Sequence, residues 1–227
     1  MIHLGDWNSP FATQCSEQSY QDVDALFSTS SVPVYFIPGD NEYNDCPDPA
    51  AAFDMWKTYL LDYSTKYWPP PRFPVQRQLP TYPENFSFVT RRILFIGIHL
   101  VGGLIHDPVE WAARQQANLQ WIDEQFNAFR SISDMMVIFA HADPGLPSND
   151  PFYLSFSLRV RNDYNIRTLL VHRNIFLENW GLETNFEGIN NFDVLIVEGD
   201  VWPVMRVELA PTLDPFPFDQ GTWFNNL

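Results

Sequence analysis

The chain has 227 residues, 45% of them apolar and 16% aromatic, and 28 acidic against 13 basic side chains give a formal charge of −15. That is material for one sizeable core, with a surface that repels phosphate backbones and argues against non-specific nucleic-acid binding. No stretch is expected to span a membrane or to act as a secretory leader.

In chain order, "MIHLGD" at the start has the look of a strand's tail running into Gly5-Asp6. Tyr20, Val23, Leu26 and Phe27 recur at helical spacing. "VPVYFIP" is a short apolar strand that ends in the turn Gly39-Asp40-Asn41-Glu42. Phe53, Trp56 and Leu60 mark a second helix after the turn "CPDP". From Tyr67 to Pro83 the chain is dense in proline, which excludes a regular central strand or helix and predicts a long surface loop. "FSFVT", Arg91-Arg92 and "ILFIGIHLV" then read as a hairpin.

Pro108 can open a long helix whose stripe is Trp111, Gln115, Leu119, Ile122, Phe126 and Phe129. These aromatics are expected in the core rather than in a cofactor site. "MMVIFAH" and "RTLLVH" are buried strands, and "FDVLIVEGD" with "WPVMRVEL" is expected to form a terminal hairpin. The tail from Pro211, rich in Pro, Asp, Asn and Phe, is expected to be poorly ordered. Helices alternate with strands early and hairpins come late, so residues 1–210 should form a single layered α/β domain.

Three of these apolar runs end in hard donors: Asp6, then Asp40-Asn41-Glu42, then His141. Loops at the carboxyl ends of strands converge over one edge of an open sheet, which makes the coincidence informative. Carboxylate oxygen and neutral imidazole suit a divalent cation such as Mn, Fe or Zn without any thiolate. His3 is expected to pack or to hydrogen-bond near the site rather than to ligate. His99 and His106, near Gly102-Gly103, are expected to be structural. Cys15 and Cys46 can form a disulfide, which would require an oxidising compartment, or remain two thiols. The sequon Asn85-Phe86-Ser87 is compatible with secretion.

At these residues the chain resembles the calcineurin-like metallophosphoesterases. It is closest to a subgroup carrying an H-x-G-D motif, here His3-Leu4-Gly5-Asp6, and a P-G-D-N-E-[WY]-x-D-C motif, here Pro38 to Cys46. Ile98 to Gly103, the helix with Trp111, Arg114, Asn118 and Trp121, and His141-Ala142-Asp143-Pro144 extend the likeness over roughly residues 1–209. The resemblance implies a sandwich of mixed sheets flanked by helices and a small phosphoester as substrate. It places Asp6 as the carboxylate bridging two metals, Asp40 and His141 as further ligands, and Asn41 where many relatives carry a His that helps protonate the leaving group.

Two departures qualify it. The family's opening Asp-x-His motif and its strand should precede Gly5-Asp6 by some tens of residues, so this chain is expected to lack the first strand of the fold or to continue upstream. The last motif, Gly-His-x-His, is replaced by Arg173-Asn174-Ile175-Phe176, in which only Asn174 could offer an oxygen. The remaining set, Asp6, Asp40, His141 and Asn174, is expected to hold one cation rather than two. Catalysis is expected to be weakened or lost, with a non-catalytic binding module on the same fold, or a truncated gene product, as the alternatives.

Overall fold

The computed structural model describes residues 1–8, 15–173, 180–197, 204–212 and 217–219. The first strand, β1 (Ile2–His3), lies parallel to β2 (Tyr35–Phe36). Backbone bonds from Tyr35 to the Met1 carbonyl and from Ile37 to that of His3 extend the pairing. Between them runs α1 (Glu17–Phe27), whose N-cap Ser16 accepts the Ser19 amide. Of its expected apolar stripe, Tyr20 and Val23 are buried, but Leu26 is 64% exposed and faces away from the core. Next, α2 (Pro49–Leu60) starts with Asp48 accepting the Ala51 amide and with proline at its first position, two features that favour initiation.

The proline-dense stretch does contain a strand, β3 (Gln76–Gln78), but at the edge of the large sheet, where missing amide donors are tolerated. It pairs with β4 (Tyr82–Thr90), which forms the expected hairpin with β5 (Ile93–Gly97). The turn Arg91-Arg92 has both φ values positive, at 49° and 63°, the hairpin geometry that matches strand twist. Helix α3 (Pro108–Phe129) begins where proline predicted it, capped by Asp107. Strand β6 (Met135–Phe139), helix α4 (Asp150–Asn162) and strand β7 (Arg167–Arg173) follow. Then come β8 (Gly181–Glu183), β9 (Phe192–Val197), β10 (Arg206–Val207) and β11 (Phe218–Asp219).

Seven strands form one mixed sheet in the order β3-β4-β5-β6-β7-β9-β8, with β5, β6, β7 and β9 parallel. The expected terminal hairpin does not form. Both edges of β9 are taken, by β7 and by β8, so β10 pairs with β11 from the segment expected to be a loose tail.

Side-chain alternation sorts this chain into four layers. Leu94, Ile96, Met136 and Ile138 face α3 and α4 on one side of the large sheet. Val137, Leu169, Val171 and Leu195 face the other way, onto Tyr35 and Ile37 beside β2. Val34 and Phe36 then turn their backs to that core and pack on Tyr20, Trp56 and Leu60 of the first two helices. The order is helix, sheet, sheet, helix, an α/β sandwich. Among the described residues the small sheet has two strands. Among the described residues no helix is long and apolar enough to cross a membrane.

Candidate metal centre

The ends of β1, β2 and β6 meet. Beyond β1 the chain turns through Gly5 (φ 87°) and Asp6 (φ 59°). Gly5 and Gly39 abut so closely that a Cβ on Gly39 would collide with the Asp6 amide and carboxylate. Glycine at both places is therefore what lets the two acidic turns touch.

Glu42 locks them together. Its buried carboxylate accepts the Gly39 amide at 2.7 Å and the Asp6 amide at 3.0 and 3.1 Å. Burial pushes this carboxyl up to about 7. The Asn41 amide donates to Asp6 Oδ1 at 3.2 Å, and its side chain donates to the Asn8 carbonyl at 3.1 Å. Tyr20 of α1 donates its hydroxyl to the Glu42 carbonyl. Cys15 and Cys46 are joined as a disulfide across 5.7 Å between Cα atoms, both sulfurs lying 3.6 Å from the Asn41 carbonyl. His3, expected to pack or to hydrogen-bond near the site, meets Phe27 edge-on and Phe36 at a tilt, and accepts the Gly5 amide.

His141 enters from the large sheet. Its Nδ1 lies 2.6 Å from the Leu4 carbonyl, which can only accept, so Nδ1 carries a proton. Its Nε2 then faces two carboxylates, 2.8 Å from Asp40 Oδ1 and 3.5 Å from Asp6 Oδ1. Such an arrangement is stable only with a positive charge in the middle, either a proton on Nε2 or a cation among the three groups. Burial would lower His141 and raise Asp40, but their contact outweighs it in both, leaving His141 raised and Asp40 lowered.

The donor atoms of Asp6, Asp40 and His141 lie within 4.8 Å of one another. Asp40 Oδ1 and His141 Nε2 are buried and, apart from each other, have no hydrogen-bond partner. Two carboxylates and one imidazole whose other nitrogen donates to a carbonyl are a donor set that fits a divalent ion. It is the one such group among the described residues.

The sequence singles out these three as candidate ligands, but not the orientation of the groups that set their charge. Glu42 was visible in the quoted turn, yet nothing in its spacing says that it faces inward. Arg173, at the end of β7, puts its guanidinium in ion-pair contact with Asp6 Oδ2. Asn174, expected as a fourth ligand, and Phe176 lie outside the described residues. His172 points its Nδ1 to the Arg173 carbonyl, and burial lowers its pKa.

A second buried acid–imidazole pair was also missed. His99 Nδ1 sits 2.7 Å from Glu84 Oε1, with both side chains about 1% exposed. Comparison of the chain with protein-family models, and with curated proteins, gives no significant match.

Proposed function

We propose that this protein is a metal-dependent phosphoester hydrolase of the calcineurin-like kind, built around a single divalent ion and slower than a two-metal enzyme. The observation that carries the proposal is the convergence of Asp6, Asp40 and His141 from three strand ends, with Nε2 of His141 turned by the Leu4 carbonyl toward both carboxylates. Those three residues would hold the ion. When bound, such an ion neutralises phosphate charge and lowers the pKa of water.

The chain's own groups do the rest. Asp6 and Asp40 fix the donor set on two turns locked by Glu42. Leu4 keeps the imidazole in the ligating tautomer. Asn41, in the leaving-group position by resemblance, is a carboxamide that can donate a hydrogen bond but cannot deliver a proton, so alcohol departure is left to water. That limits turnover on esters of poorly acidic alcohols. The Cys15–Cys46 disulfide suits a secretory or extracellular setting.

A non-catalytic, metal-dependent binding module on the same sandwich is the second reading. It is favoured by the small donor set among the described residues.

The test is calorimetric titration of Mn2+ or Zn2+ into the metal-free protein, followed by hydrolysis of p-nitrophenyl phosphate and its diester. One equivalent of bound metal with metal-dependent release of nitrophenolate is expected. One equivalent bound with no turnover selects the binding module. No metal bound contradicts both.

A further inference from the structure

Asp6 is approached from two sides. Its Oδ1 faces the donor set, 3.5 Å from His141 Nε2, while Oδ2 is held by the Arg173 guanidinium. In a two-metal hydrolase the second side of such a carboxylate would meet a second ion. Here the partner is a covalently fixed organic cation. Building on the metal-site proposal above, we infer that Arg173 takes the place of a second metal ion in this centre, neutralising the far side of Asp6 and attracting the anionic group of the substrate.

The charges support this role. One divalent ion would balance Asp6 and Asp40 and leave a centre with no net attraction for a phosphate. Glu42 behind them adds further negative charge, and the guanidinium offsets it and supplies positive charge beside Asp6, at a side chain only 17% exposed, where water screens it weakly. Arginine also suits the task chemically, since its planar fork stays charged at any working pH and matches phosphate geometry. The same charge comes at a cost to the metal: Arg173 competes for Asp6 and repels the ion that Asp6 helps to hold. Metal affinity and anion affinity should therefore respond to Arg173 in opposite directions. A purely structural residue would move them together.

The experiment compares wild type, Arg173→Gln and Arg173→Lys by calorimetry, first for Mn2+ and then for inorganic phosphate on the Mn2+-loaded protein, with thermal melting as a check on folding. In Arg173→Gln, Mn2+ should bind roughly three- to tenfold more tightly, and phosphate roughly tenfold or more weakly. In Arg173→Lys, phosphate should weaken only a few-fold and Mn2+ affinity should stay near wild type. Both affinities unchanged in Arg173→Gln, or both weakened together, overturn the inference while leaving the metal site intact. If Arg173→Gln does not fold, Arg173→Met is read in its place for the same two affinities, and the same outcomes overturn the inference. A wild type that takes up no Mn2+ overturns the metal site and the role of Arg173 alike.

Discussion

Among the described residues two acid–imidazole pairs are buried, and they settle into opposite charge states. At the strand ends, Asp40 is held low and His141 high, so the pair leans toward separated charges. Against α3, burial pushes Glu84 up to about 7 and His99 well down, so that pair leans toward two neutral groups. Burial acts in the same sense on both. The neighbours differ: His141 faces two carboxylates, one of them also paired with Arg173, with Glu42 behind them, while His99 faces one and lies near the positive charge of Arg114. An imidazole between two acids calls for a cation, whereas an imidazole facing one acid can share a single proton with it, even though His99 Nε2 and Glu84 Oε2 are left without a further hydrogen bond. On the metal-site proposal, surplus negative charge rather than the mere proximity of Asp or Glu to His is what distinguishes the two pairs.

Substitutions in the two pairs sharpen that contrast. Asp40→Asn should cost the most, weakening Mn2+ binding roughly a thousandfold, about 4 kcal/mol, because it removes a ligand outright. Glu84→Gln should leave Mn2+ affinity within a few-fold of wild type. Equal losses in the two variants, read by calorimetry, would erase the distinction.

The strand-end turns are also tied covalently, and the other pair is not. Opening the Cys15–Cys46 bond, which closes a separation of 31 residues, by Cys46→Ser should lower stability by about 3 kcal/mol in denaturant melts. A loss under about 1 kcal/mol would mean that Glu42 and the abutting glycines hold the two turns unaided.

The smallest effect is on pH dependence. Glu84 releases its proton at about 7 when folded and near 4.5 when unfolded, so the folded chain holds more protons between those values. Its contribution to stability is present below that window and is lost as pH rises through it. His99 acts the other way: it resists protonation when folded, and its contribution is lost as pH falls below its ordinary 6.5. Glu84→Gln removes only the first effect. Stability of the variant relative to wild type should therefore rise by roughly 2 kcal/mol between pH 5 and pH 8. Parallel pH profiles would show that Glu84 ionises normally in the folded protein.

Much of the fold is legible in the sequence because burial on both faces writes strands as apolar runs. "ILFIGIHLV", "MMVIFAH" and "RTLLVH" are all strands of the large sheet. Helix α3 announces itself through Asp107, Pro108 and its stripe. Helix α4 went unnamed, although Pro151 opens it and Phe152, Phe156 and Val160 follow at helical spacing. Partner choice was not legible: the run at β9 says that it is buried, not that β7 and β8 occupy its edges. The site divides in the same way. Asp6, Asp40 and His141 stand out because each ends an apolar run. Glu42, Arg173 and the Glu84–His99 pair act through orientation and charge balance, which spacing along the chain does not encode.

Anomalous diffraction from crystals of the protein equilibrated with Mn2+ would test the central claim most directly. One peak among Asp6, Asp40 and His141, with the Glu84–His99 pair free of metal and Arg173 still on Asp6, is the predicted result. Mn2+ absent from the strand-end donors in fully equilibrated crystals would contradict it. So would a second ion displacing Arg173.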